Sequence, residues 1–156
     1  MKGVYALLID LPEPREISVG RLGLVVFPRG VYAYIGSALK GMEARVDRHL
    51  RKNKKLHWHI DYLLQQAPVQ RVVLCETEER LECVLARYLS QEFPSIPGFG
   101  SSDCRCDSHL FFDPGSTRLE EGIINALKII VPGCRDSGLP CFVRRGVTEA
   151  TWPGRS

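Results

Sequence analysis

Two tyrosine triplets precede the most basic stretch of this chain. They are Gly3-Val4-Tyr5 and Tyr34-Ile35-Gly36, and after them come Lys40, Arg45, Arg48, Arg51, Lys52, Lys54 and Lys55, opposed only by Glu43 and Asp47. The window from Lys40 to Lys55 carries +5; since the whole chain is +3, the remainder sums to −2. Concentrated positive charge attracts polyanions by counterion release, so nucleic acid is the natural partner. Lys40, Arg48, Lys52, Lys54 and Lys55 are the expected phosphate contacts. Together the two triplets and this stretch suggest a nuclease. The plainer reading of the charge run is a solvated helix face.

Two further groups have the chemistry of ligands. His57-Trp58-His59 is followed by Asp61, and a carboxylate four residues after His57 can hold an imidazole as a ligand or proton relay. Cys104-x-Cys106-x-x-His109 offers three ligands within six residues. Zinc usually takes four, and the spacing between these cysteines is tight, so thiols in a loop near the site are expected ahead of a zinc centre. His57 or His59 could complete such a centre if the loop folds back. Cys75 and Cys83 sit inside apolar patterns and read as small buried side chains.

These residues need elements to hold them. Residues 3–9 read as a buried strand ended by Pro12 and Pro14, and residues 17–19 and 22–27 as a hairpin turning at Gly20-Arg21. Residues 31–36 form a second core strand. From Gly41 the period changes: Met42, Val46 and Leu50 make a helical stripe, which puts Arg45 and His49 on a neighbouring face. A helix around 58–66 follows, then a strand at 69–75. Thr77 is expected to cap a helix with Glu78 and Glu79 in its first turn and Glu82 at the edge of its buried face, aimed into a cleft. After a Pro- and Gly-rich loop come a short strand at 110–112 and a helix capped by Ser116 and running to Val131. The expected architecture is α/β of the α+β type, a small, mainly antiparallel sheet flanked by helices with a hairpin inserted between the two tyrosine strands. The expected divisions are a domain at 1–113, a C-terminal helix at 114–131 and an irregular tail at 132–156.

The order of Gly3-Val4-Tyr5, Tyr34-Ile35-Gly36, then Arg45 and His49 in a basic helix, then Glu82, resembles the GIY-YIG nuclease superfamily. The segments 32–64 and 96–110 look closest to a branch sometimes fused to endonuclease III-like repair glycosylases. The resemblance implies a metal-dependent endonuclease acting on DNA. Tyr5 or Tyr34 would be the phenolate or proton relay, Arg45 the phosphate clamp, and Glu82 the ligand of one Mg2+ or Mn2+. His49 would contact phosphate or relay a proton, and His57, His59, Asp61, Cys104, Cys106 and His109 would line the site. A free tyrosine has a pKa of about 10, so cations must lower it if a phenolate is the base. The 28 residues between Tyr5 and Tyr34 exceed the superfamily's usual spacing, and Asn125 cannot be matched to its late asparagine. The alternative is a non-catalytic nucleic-acid-binding module accessory to DNA repair. Phosphate attraction alone does not separate DNA from RNA.

Composition sets the frame. With 156 residues, 44% hydrophobic and 25% charged, the chain matches one ordinary globular domain, not a disordered or fibrous one. Asp10, Pro12 and Glu13 break the N-terminal apolar run before any cleavage site, and no window approaches the ~20 apolar residues of a membrane span. A cytoplasmic protein with reduced thiols and no membrane partner is expected.

Overall fold

The computed structural model describes residues 2–115 and 118–131, and residues 141–145 for their backbone. The elements in chain order are β1 (Gly3–Leu11), β2 (Arg15–Val19), β3 (Gly23–Phe27), β4 (Gly30–Ala38), α1 (Met42–Leu50), α2 (His59–Leu64), β5 (Val69–Glu76), α3 (Glu82–Ser90), β6 (Leu110–Asp113), α4 (Arg118–Ile130) and β7 (Cys141–Arg145). Five strands form one antiparallel sheet in the order β6-β4-β1-β5-β7. The hairpin β2–β3 forms a separate two-stranded sheet and does not interrupt the pairing of β1 with β4.

Both faces of the large sheet are covered, and this is why β1 reads as a near-continuous apolar run rather than an alternating one. Tyr5, Leu7, Ile9 and Leu11 face a core closed by α1, α2 and the hairpin, which contributes Ile17, Val19 and Phe27. Val4, Ala6 and Leu8 face the other core, closed by α3 and α4 through Leu85, Leu89, Leu119, Ile123 and Leu127. The C-terminal helix expected at 114–131 corresponds to α4, which packs on this second core.

Two local expectations change, and a third is untested. Thr77 Oγ1 accepts from the Glu79 amide at 3.2 Å and closes a turn, and α3 starts only at Glu82, with Leu81 as its N-cap. Five residues of the tail expected to be irregular form β7, an edge strand on β5. Ser116, expected to cap α4, lies outside the described residues, as does the rest of the tail. Among the described residues no helix is long and apolar enough to cross a membrane.

Candidate functional site

The register of β1 against β4 places Tyr5 opposite Gly36 and Leu7 opposite Tyr34. Residues opposite one another share a face, so both tyrosines project toward α1. The glycine has a steric reason: a Cβ on Gly36 would lie 2.5 Å from the Tyr5 ring and hydroxyl. Tyr5 can lie across β4 only because residue 36 has no side chain. Gly100 does the same for Tyr34, since a Cβ there would fall 2.8 Å from the Tyr34 ring, and its φ of +71° suits glycine.

Helix α1 then brings up Arg45 and His49, one turn apart. His49 is 2% exposed, and its Nε2 lies 2.7 Å from the Tyr5 hydroxyl. Its ring packs against those of Tyr34 and Trp58 at centroid distances of 6.0 and 5.5 Å. Burial, helped by the Lys54 charge, lowers the His49 pKa to about 3, so the ring is neutral at physiological pH. The exposed Arg45 donates from Nη1 to the Ser37 carbonyl at 2.7 Å, places its charge near the Tyr5 hydroxyl, and lies 5.3 Å from the centre of the Trp58 ring.

Burial raises both tyrosines above their ordinary value; Arg45 opposes the rise without overcoming it. Of the cations expected to make a phenolate available, Arg45 by itself does not do so. Both tyrosines are neutral hydroxyls in the folded chain.

Glu82, the first residue of α3, completes the group. Its carboxyl is raised by burial and by Asp103, against a hydrogen bond from Ser37 and the charge of Arg45. Tyr5, Tyr34, Arg45, Trp58, Glu82 and His109 all line one cleft of about 620 Å³, with His49 behind Tyr5. His57 and His59 also line it. The His59 Nδ1 accepts from the Gly100 amide at 2.9 Å, which pins the following loop.

Several expected contacts are engaged elsewhere. Arg48 forks onto Asp61 with both bonds at 3.1 Å, stacks 4.3 Å from the centre of Trp58, and donates to the Lys55 carbonyl. Lys54 Nζ is 8% exposed and caps the end of α1 through the carbonyls of His49 and Arg48 at 2.5 and 3.2 Å. Asp61 is fully buried and accepts the backbone amides of His57 and Trp58, both at 2.9 Å. It anchors the start of α2 and does not hold the His57 imidazole. These three residues brace α1 against α2. Lys40, Lys52 and Lys55 are exposed on the surface outside the cleft.

The loop before β6 carries the remaining expected group. His109 is 2% exposed, its amide donates to the Phe99 carbonyl at 2.8 Å, and its own carbonyl accepts from Ile35 at 2.9 Å. Cys104 Sγ lies 3.5 Å and Cys83 Sγ 3.9 Å from His109 Nε2. Cys83 is therefore not a plain core residue: it sits half-buried on α3 beside Cys104, Cys106 and His109. Its separation in sequence from the Cys-x-Cys pair concealed this. Trp58, Ser37 and Asp103 were also missed as parts of the cleft, although the aromatic between two histidines was a signal for the first.

No curated protein and no solved structure matches the chain. A family model does match, over residues 4–131, and it is not that of the GIY-YIG superfamily. That match covers most of the 156 residues and corrects the resemblance drawn from the tyrosine triplets: the chain belongs to the family described as Domain of unknown function DUF123.

Proposed function

We propose that the cleft hydrolyses phosphodiester bonds in DNA, as a divalent-cation-dependent endonuclease. One observation carries this reading: a phenol bonded to a buried neutral histidine, a second phenol, a guanidinium and a carboxylate, drawn from β1, β4, α1 and α3, surround one cleft. The reading rests on that chemistry and not on kinship.

Each residue has a task its surroundings suit. Arg45 is aimed by the Ser37 carbonyl, and a guanidinium has more donors than that contact uses, so it can also fork onto a phosphate. Tyr5 and neutral His49 form a relay that passes a proton without carrying charge at rest. Tyr34 presents a neutral hydroxyl to the same space. Glu82 and Asp103 both line the cleft, and the repulsion between them is what a cation relieves, so the donor set fits Mg2+ or Mn2+. Such a cation supplies charge neutralisation and a more acidic water. A cytoplasmic setting belongs with this reading, supported by thiols without disulfides at Cys83, Cys104 and Cys106.

The test is incubation with supercoiled, nicked and branched DNA in Mg2+ or Mn2+, beside Arg45→Ala and Glu82→Ala. Cleavage that needs metal and is lost in both variants is the expected result. No cleavage of any substrate ends the catalytic reading. A binding module without catalysis is the second reading, favoured by the raised pKa values of both tyrosines. It predicts binding that weakens with salt at about 0.9 log units per phosphate contact on duplex DNA, with no product.

A further inference from the structure

We propose that Cys83, Cys104, Cys106 and His109 form a zinc centre whose histidine also reaches across to Glu82 in the cleft. Three of the ligands come from the loop before β6. The fourth comes from α3, which places Cys83 beside them.

The geometry suits a tetrahedral ion. One ligand atom from each of the four residues lies within 4.8 Å of all the others. Zinc with Zn–S near 2.3 Å and Zn–N near 2.0–2.1 Å sets sulfur and nitrogen ligands about 3.5–3.6 Å apart. His109 Nε2 stands 3.5 Å from Cys104 Sγ and 3.9 Å from Cys83 Sγ, so these three ligands need only a small contraction. Three sulfurs and one imidazole are a set that selects zinc over the hard cations suited to Glu82. The centre would cross-link α3 to a segment, residues 91–109, that contains no helix or long strand.

The second nitrogen of His109 carries the argument into the cleft. Nδ1 is buried without a hydrogen-bond partner, yet it lies 3.8 Å from Glu82 Oε1. Metal on Nε2 fixes the proton on Nδ1 and turns it toward that carboxylate, as partners of metal-bound histidines commonly do. Glu82 would thus serve the zinc centre through His109 and the cleft through its own oxygens.

The experiment is metal analysis of the full chain purified from zinc-supplemented medium, followed by exchange with Co2+. One zinc per chain, and a cobalt spectrum with thiolate charge-transfer and tetrahedral d–d bands, are expected. Cys83→Ser and Cys104→Ser should lose both, while Cys75→Ala, altered in the core behind α3, should keep them. Glu82→Gln, which preserves shape, should keep the metal but weaken it by about 10-fold or more in competition with a chelator. Absence of bound metal, iron in its place, a disulfide among the three thiols, or retention by Cys83→Ser would overturn the centre. Unchanged affinity in Glu82→Gln would overturn the link to the cleft. None of these measurements depends on DNA cleavage, so the proposed nuclease activity and the zinc centre can fail separately.

Discussion

The two faces of the central sheet are built from the same strands and differ in what they bury. The face toward α3 and α4 is filled by Val, Ala, Leu, Ile and Phe, as in Val4, Ala6, Leu8, Ile35 and Ile123. The face toward α1 and α2 buries Tyr5, Tyr32 and Tyr34 under helices that also bury Asp47, His49 and Asp61. Residues bound for the two faces alternate along β1 because successive side chains point to opposite faces. One face is a packing surface, and the other is a scaffold for polar groups that must each find a partner. The difference teaches where chemistry and stability separate: Arg48 with Asp61, and Lys54 with the end of α1, are charges spent on holding the scaffold, while Arg45 and Glu82 are left at the cleft.

The sharpest way to break this comparison is to strip the cleft. Arg45→Ala and Glu82→Ala should each lower cleavage by about 100-fold or more, with little change in the melting temperature. A similar loss of activity from a change confined to the apolar face, in protein that remains folded, would erase the distinction. Gly36→Ala should come next, because its methyl collides with the Tyr5 ring. It should displace the Tyr5–His49 bond, and tyrosine and histidine NMR resonances should shift while the signals of α4 do not.

Two stability measurements then set the faces against each other. Asp61→Ala leaves Arg48 without its buried partner and two backbone amides unsatisfied, and should cost about 3–5 kcal/mol in urea unfolding. Leu127→Ala, on the apolar face, should cost about 2–5 kcal/mol through a cavity, with cleavage per folded molecule unchanged.

His49 gives a finer contrast through pH. Its folded pKa of about 3 lies below the ordinary 6.5, so the unfolded chain binds the proton first as pH falls. The stability this histidine supports is fully present above pH 6.5 and is lost as pH drops toward 3. His49→Gln should flatten the stability profile across that window, and an unchanged slope would contradict a buried neutral ring. The smallest effect belongs to the exposed cations: Lys52→Ala should leave stability nearly unaltered and reduce the salt slope of DNA binding by about 0.9 if it touches one phosphate.

Much of the scaffold was legible before any coordinates. The apolar run of β1, the stripe Met42, Val46 and Leu50, and the hairpin turn at Gly20 each follow from local periodicity and backbone preference, and each element stands within a few residues of its expected place. The start of α3 was misplaced because Thr77, Glu78 and Glu79 make a convincing first turn locally, whereas the chain turns once more and enters the helix only at Glu82. β7 was invisible because an edge strand of five residues among Gly and Pro carries little signal of its own, and only pairing with β5 stabilises it.

The tyrosine triplets show where sequence stops and tertiary structure takes over. The sequence by itself determined that β1 and β4 are strands and that a basic helix follows them; that Tyr5, Tyr34, Arg45 and Glu82 line one cleft was decided by the tertiary structure. The sequence could not determine which cations were committed, because Arg48 and Lys54 differ from Arg45 only in what lies opposite them after folding. Nor could it show that Gly36 gives way to the Tyr5 ring, or that Cys83 joins Cys104, Cys106 and His109. Periodicity is a property of neighbours along the chain and can be read from composition and order. The partner of a charge and the ligands of a possible ion lie on separate elements, and only the packing of α1 against α2 and of α3 against the loop before β6 brings them together.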